Sequence, residues 1–225
     1  MTKINHLKEI AKSNKSFIIY KSDKGFDLYT DFSKKIILTN NNIKNFINKT
    51  RQLKSKKKET DLFIGFFGYE VLNNLIGIKL KKQKGLKFPK GLFYKPETKI
   101  NLQNQLDYKT LKLINSKKSF KVNINKASYK VIFDKFKKKI KSGETYQIKI
   151  CTKYSNEAKI DALDFFSRLV KTNMAPEAFM IKDKNYSIIS CSPENLITKR
   201  NNFITTKPIA GTLKKTKKLN KDKAL

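Results

Sequence analysis

Hydrophobic periodicity changes abruptly at Gly143, and that change limits the folds open to this chain. Upstream, Tyr129, Ile132, Phe133, Phe136 and Ile140 fall at i, i+3, i+4, i+7 and i+11. The spacing predicts a helix with one apolar face. Asn125 is placed to cap its start and Gly143 to stop its end. Downstream, Thr145–Tyr154 alternates, with Tyr146, Ile148 and Ile150 on one side and Thr145, Gln147, Lys149 and Cys151 on the other. Period two predicts a strand, and its polar face is suited to presenting groups to a substrate. A purely helical or purely stranded fold accommodates only one of these periods.

The rest of the chain reads in the same way. Ser16–Tyr20, Phe26–Tyr29 and Lys35–Thr39 are strand-like, and Asn41–Lys56 carries Ile43, Phe46 and Ile47 at helical spacing. Leu62–Tyr69 is apolar and contains Gly65 and Gly68, which permit close backbone packing or a bulge. Phe88–Gly91 and Lys95–Thr98 carry turn signals. Leu163, Phe166, Leu169 and Val170 mark a second helix. Strands follow at Ala178–Lys182, Tyr186–Cys191 and Phe203–Lys207, with turns at Asp183–Asn185 and Arg200–Asn202. The expected class is α+β, with mostly antiparallel sheets and packed helices. The polar, lysine-rich stretch Leu102–Phe120 is the expected boundary between lobes 1–118 and 119–225.

Composition bounds the function. At 225 residues and 39% apolar content, the chain can bury a core. Its formal net charge of +33 suggests a basic nucleic-acid-binding protein as a rival reading. Only Arg51, Arg168 and Arg200 are arginines, whereas base readout and phosphate clamps favour arginine. The lysines are spread along the chain, with runs at Lys54–Lys58 and Lys214–Lys218, and read as solvated faces. No specific nucleic-acid partner is therefore expected. No apolar run reaches the roughly 18–20 residues of a membrane span, and the first residues lack a secretory pattern. Cys151 and Cys191 have no metal or redox spacing and read as reduced thiols, so the expected location is cytoplasmic. His6 is the sole histidine, and neither the P-loop nor the dinucleotide glycine fingerprint is present.

Two motifs carry possible chemistry. Ser192-Pro193-Glu194 sets a carboxylate just past a strand end. If partly buried there, Glu194 gains a raised pKa and can act as a general acid; if exposed, it is a turn residue. Pro208-Ile209-Ala210-Gly211-Thr212 follows a strand. Gly211 lets backbone approach a ligand and Thr212 offers a hydroxyl; the alternative is a plain turn.

Taken together, these segments resemble the chorismate-utilising enzymes. The helix followed by Ser142-Gly-Glu-Thr-Tyr-Gln147 resembles that family's helix and Gly-Asp/Glu-x-Tyr/Phe-Gln strand. Ser190–Glu194 resembles its Ser-Pro-Glu element and Pro208–Thr212 its Pro-Ile-Ala-Gly-Thr element, in the same order and spacing. Phe63–Glu70 and Gly91–Tyr94 resemble the amino-terminal lobe of component I of anthranilate and aminodeoxychorismate synthases. The resemblance implies that Glu194 protonates the departing 4-hydroxyl of chorismate. It implies that Ala210, Gly211 and Thr212 contact the substrate. Gln147 stands where water-using relatives carry a lysine base, which points to ammonia as nucleophile. Ala210 stands where many aminodeoxychorismate synthases carry an attacking lysine, which favours the anthranilate branch; the alternative is aminodeoxychorismate synthase component I. Ala175–Met180 departs from the pattern of the tryptophan-regulated enzyme, and feedback by tryptophan is not implied. The resemblance further implies a glutamine amidotransferase partner, and magnesium held by later residues. It implies a chain that is an inactive fragment by itself, because the magnesium ligands, a catalytic histidine and the groups for the pyruvyl carboxylate lie beyond Thr212 in the family.

Overall fold

The computed structural model describes residues 15–51, 58–78, 88–103, 106, 119–158 and 160–209, with residues 7, 9, 10 and 13 near the amino terminus. Two compact units are present, one of residues 1–109 with 162–225 and one of residues 110–161. The larger unit is built on a six-stranded antiparallel sheet. Its strands are β1 (Phe17–Ser22), β2 (Gly25–Ile37), β3 (Ile64–Phe67), β4 (Gly91–Asn101), β7 (Glu177–Lys182) and β8 (Ser187–Ser192), in the order β3-β4-β2-β1-β7-β8. Helices α1 (Ile43–Arg51), α2 (Tyr69–Leu75) and α4 (Ala162–Asn173) and the hairpin β9 (Thr198–Arg200)–β10 (Phe203–Thr205) also belong to it. The α+β class with antiparallel sheets is thus the observed one.

β1 shows why the sheet forms. Its run Phe17-Ile18-Ile19 is apolar without alternation, and all three side chains are buried. A strand covered on both faces reads this way. Phe17 and Ile19 face one cluster with Phe26, Leu28, Met180 and the α4 residues Leu163 and Phe166. Ile18 faces the other way, toward Tyr29, Leu92, Tyr94 and Ile181. A third cluster joins Ile43 and Phe46 of α1 to Val71 of α2 and Phe93 of β4. Gly65 is required where β3 meets β4: a Cβ there would lie 1.9 Å from the Leu92 carbonyl oxygen.

A buried polar network pins the β7–β8 turn. Asp183 accepts hydrogen bonds from Lys35 Nζ at 2.6 Å, from the Tyr94 hydroxyl at 2.8 Å and from the Lys184 amide at 2.5 Å. Burial pushes the Asp183 carboxyl up, but these donors more than offset it and hold the group below its usual value. Burial and the Asp183 hydrogen bond raise the Tyr94 phenol well above its ordinary value.

In the smaller unit, helix α3 (Lys126–Lys141) follows the predicted stripe. Asn125 Oδ1 accepts from the Ser128 amide at 2.8 Å, and Gly143 takes φ +77° just past the helix end. The unit also contains a two-stranded antiparallel pair of β5 (Lys121–Val122) and β6 (Tyr154–Ser155).

Three expectations are corrected. Phe26–Tyr29 and Lys35–Thr39 belong to the single strand β2 as far as Ile37, because an irregularity between Phe32 and Lys34, with Asp31 at φ +51°, carries the ladder across the polar gap. Lys95–Thr98 lies within β4. Pro96 is tolerated there because it lies past the part of β4 that pairs with β3 and opposite that irregularity. The Thr145–Tyr154 strand is reduced to β6, because residues 145–153 find no ladder partner among the described residues. β7 and β8 extend the sheet from β1.

Candidate active-site cleft

β8 ends at Ser192, and the chain turns at once. The Ser192 hydroxyl donates to the Glu194 carbonyl at 2.9 Å and accepts from the Glu194 amide at 3.3 Å. This local hydrogen bonding is what a serine supplies at a turn. The Glu194 side chain reaches the segment that follows the β9–β10 hairpin, where Oε1 accepts from the Ile209 amide at 3.2 Å. The Ser-Pro-Glu turn is thereby tied to the segment that leads into Ala210. Of the two alternatives for Glu194, partly buried or exposed, the residue is exposed. Ala210, Gly211 and Thr212 lie outside the described residues. Gln147 belongs to the unit of residues 110–161, where it is exposed and its carbonyl accepts from Thr145 Oγ1 at 3.2 Å.

Beside this turn is a cleft of about 550 Å³ whose lining includes Asp23, Glu177, Asn195, Arg200, Phe203 and Lys207. Four segments build it: the β1–β2 turn, the start of β7, the loop after β8, and the β9–β10 hairpin. Glu177 is the joint between them. Its Oε2 accepts from the Tyr20 hydroxyl at 2.9 Å and its Oε1 from Asn195 Nδ2 at 2.8 Å. Asn195 Oδ1 accepts in turn from Thr198 Oγ1 at 3.1 Å. Burial and the hydrogen bond to Glu177 push the Tyr20 phenol up to about 12, so it remains a donor at neutral pH. Arg200 pairs with Asp23 at 2.9 Å and holds that carboxyl below the usual range. Burial pushes the Cys191 thiol up, away from the thiolate needed for a nucleophile. The cleft lining includes carboxylates, cations and one aromatic side chain, Phe203.

Asp23, Glu177 and Asn195, which line the cleft, were not singled out in the sequence. No spacing marks them, because each comes from a different segment. Arg200 was visible only as a turn residue.

A sequence model of the chorismate binding enzyme family matches residues 5–225. The chain belongs to that family. An anthranilate synthase component I-like protein of Synechocystis is 24% identical over 188 residues, covering 72% of this chain and 39% of the relative. The anthranilate synthase component 1 of Arthrobacter globiformis is 34% identical over 106 residues, covering 45% of this chain and 20% of the relative. The aminodeoxychorismate synthase component 1 of Bacillus subtilis is 27% identical over 107 residues, covering 48% and 23%. The chain therefore spans between about one fifth and two fifths of these relatives.

Proposed function

We propose that this chain is part of a component I enzyme that aminates chorismate with ammonia and releases pyruvate to give anthranilate. The observation that carries the reading is the hydrogen bond from the Ile209 amide to Glu194 Oε1, which joins two of the three motif segments. In this reading Glu194 protonates the 4-hydroxyl as it leaves ring carbon 4 while ammonia adds at ring carbon 2. Water departs, and elimination of the enolpyruvyl side chain as pyruvate leaves the aromatic ring. A carboxylic acid suits that proton transfer once the remaining length of the fold covers the turn and excludes water. Gln147 has no base strength to activate water, which supports ammonia as the nucleophile. Ala210 cannot attack the ring, which supports direct amination, and Gly211 and Thr212 are assigned to hold the substrate.

Among the described residues no three His, Cys, Asp or Glu side chains cluster to hold a metal. Magnesium is the proposed cofactor, and its ligands are assigned to the length of the relatives outside this chain. A glutamine amidotransferase subunit is the proposed ammonia source. Likewise, no described helix is long and apolar enough to cross a membrane. Aminodeoxychorismate synthase component I is the second reading, supported by the relatives of that name.

The test is an assay of the chain joined to the length of the relatives that it does not span, supplied with chorismate, ammonium and magnesium. Anthranilate fluorescence and stoichiometric pyruvate are expected. Aminodeoxychorismate without pyruvate would establish the second reading, and isochorismate would overturn the role given to Gln147.

A further inference from the structure

Glu194 is exposed, yet the loop that carries it is anchored. From Pro193 to Ile197 only Asn195 is half-buried, and its neighbours in the loop are exposed. Asn195 Nδ2 donates to Glu177 Oε1 at 2.8 Å, and Thr198 Oγ1 donates to Asn195 Oδ1 at 3.1 Å. Glu177 opens β7 and pairs in register with Ser192, the last residue of β8. It therefore reaches the loop from the sheet, the rigid side of the joint. Its second oxygen, Oε2, is held by the Tyr20 hydroxyl at 2.9 Å, from the adjacent strand β1.

This position calls for a carboxylate. Two donors, the Tyr20 hydroxyl and the Asn195 amide, converge on one side chain, and a carboxylate accepts at both oxygens. An amide in its place would turn its own NH₂ toward one of those donors. The consequence for Glu194 follows from chain geometry. Asn195 is bonded to Glu194, and consecutive Cα atoms lie about 3.8 Å apart. Holding Asn195 fixes the base of the Glu194 side chain, while the Ile209 amide holds its carboxylate end at 3.2 Å. Misplacing a reacting group by about 1 Å can cost on the order of 10²-fold in rate.

We propose that Glu177 is a positioning residue for Glu194, acting through Asn195 and itself held by Tyr20. The inference rests on the role given to Glu194 in the proposed reaction.

The experiment exchanges the two groups. In Glu177→Gln, and in Asn195→Asp, the hydrogen bond between them is lost. In the double variant the amide at position 177 donates to the carboxylate at 195, and the Tyr20 and Thr198 hydroxyls keep their acceptors. On the full 225-residue chain at pH 7, NMR-detected hydrogen exchange of the Ile209 amide reads the placement of Glu194. Each single variant should speed that exchange by about fivefold, the effect of one hydrogen bond, and the double variant should restore it. In the chain joined to the length of the relatives that it does not span, each single variant should lower kcat by about tenfold or more. KM for chorismate should stay within about twofold and the double variant should recover kcat, a rescue that a merely structural loss would not show. Single variants with wild-type Ile209 exchange and kcat, or a double variant as impaired as the singles, would overturn the proposal. Should Glu194→Gln leave turnover unchanged while the exchange pattern holds, the acid role of Glu194 fails and the brace on its loop stands.

Discussion

Replacing Asp183 by alanine isolates the network that fixes the β7–β8 hairpin, and so the strand that leads to Glu194. Two losses follow. The Tyr94 hydroxyl, in a residue only 2% exposed, loses its acceptor, and an unsatisfied buried donor costs about 1–3 kcal/mol. Lys35 also loses its partner, but its side chain is 43% exposed and water can replace the carboxylate, so that loss is worth about 1 kcal/mol or less. Together they predict a destabilisation of about 3 kcal/mol. With a urea slope of about 2–3 kcal/mol/M, the midpoint should fall by roughly 1 M. Far-ultraviolet circular dichroism in urea measures it. The pH dependence has a definite sign. The folded carboxyl is held below its usual value, so its contribution is complete above the unfolded pKa of about 3.9. That contribution is lost as pH falls through the folded value. The gap between wild type and variant should therefore be flat near neutrality and shrink below about pH 4. In a Tyr94→Phe background the cost of Asp183→Ala should drop by about 1 kcal/mol. Additivity within about 0.3 kcal/mol, or a gap that persists at low pH, would refute the reasoning.

Glu194→Gln in the completed enzyme should lower turnover by about 10²–10⁴-fold while chorismate still binds in equilibrium dialysis; an effect below about threefold would leave Glu194 a turn residue. Gly65→Ala should cost about 1–3 kcal/mol in thermal unfolding, because its methyl meets the backbone of Leu92, which has little freedom to move. An unchanged Tm would mean that β3 can lift off β4. The charge of +33 should give nucleic-acid binding that disappears between about 50 and 200 mM salt without sequence preference. Tight selective binding in anisotropy titrations at physiological salt would support a nucleic-acid function instead.

Much of this architecture was legible because the signals were local. The α3 stripe with its Asn125 cap, the α4 stripe, and the β7 and β8 runs each depend on residues within one element. The Ser-Pro-Glu turn was legible for the same reason, since Ser192 bonds the backbone two residues on. The errors came from tertiary context. Thr30–Lys34 looked like a break, yet pairing with β4 holds it in the sheet. Pro96 looked like a turn residue, yet its neighbours pair with β2. Residues 145–153 alternate correctly for a strand, but alternation does not supply a ladder partner. The cleft was the least legible part. The Asp23–Arg200 pair spans 177 positions, and no sequence window joins them.

The placement of β7 against β1 also sets a schedule for synthesis. Tyr20 and Glu177, joined by a hydrogen bond, are 157 residues apart. At about 5–20 residues per second on a ribosome, roughly 8–30 s pass between making one partner and making the other. Throughout that interval the β1–β2 hairpin offers an unpaired edge and the apolar Ile18 and Ile19 without their β7 partners. The nascent chain is therefore most vulnerable to mispairing with a neighbour on the same message before residue 182 has emerged. Faster translation of the middle third, or a chaperone that shields the amino-terminal hairpin, should raise soluble yield without altering the finished molecule.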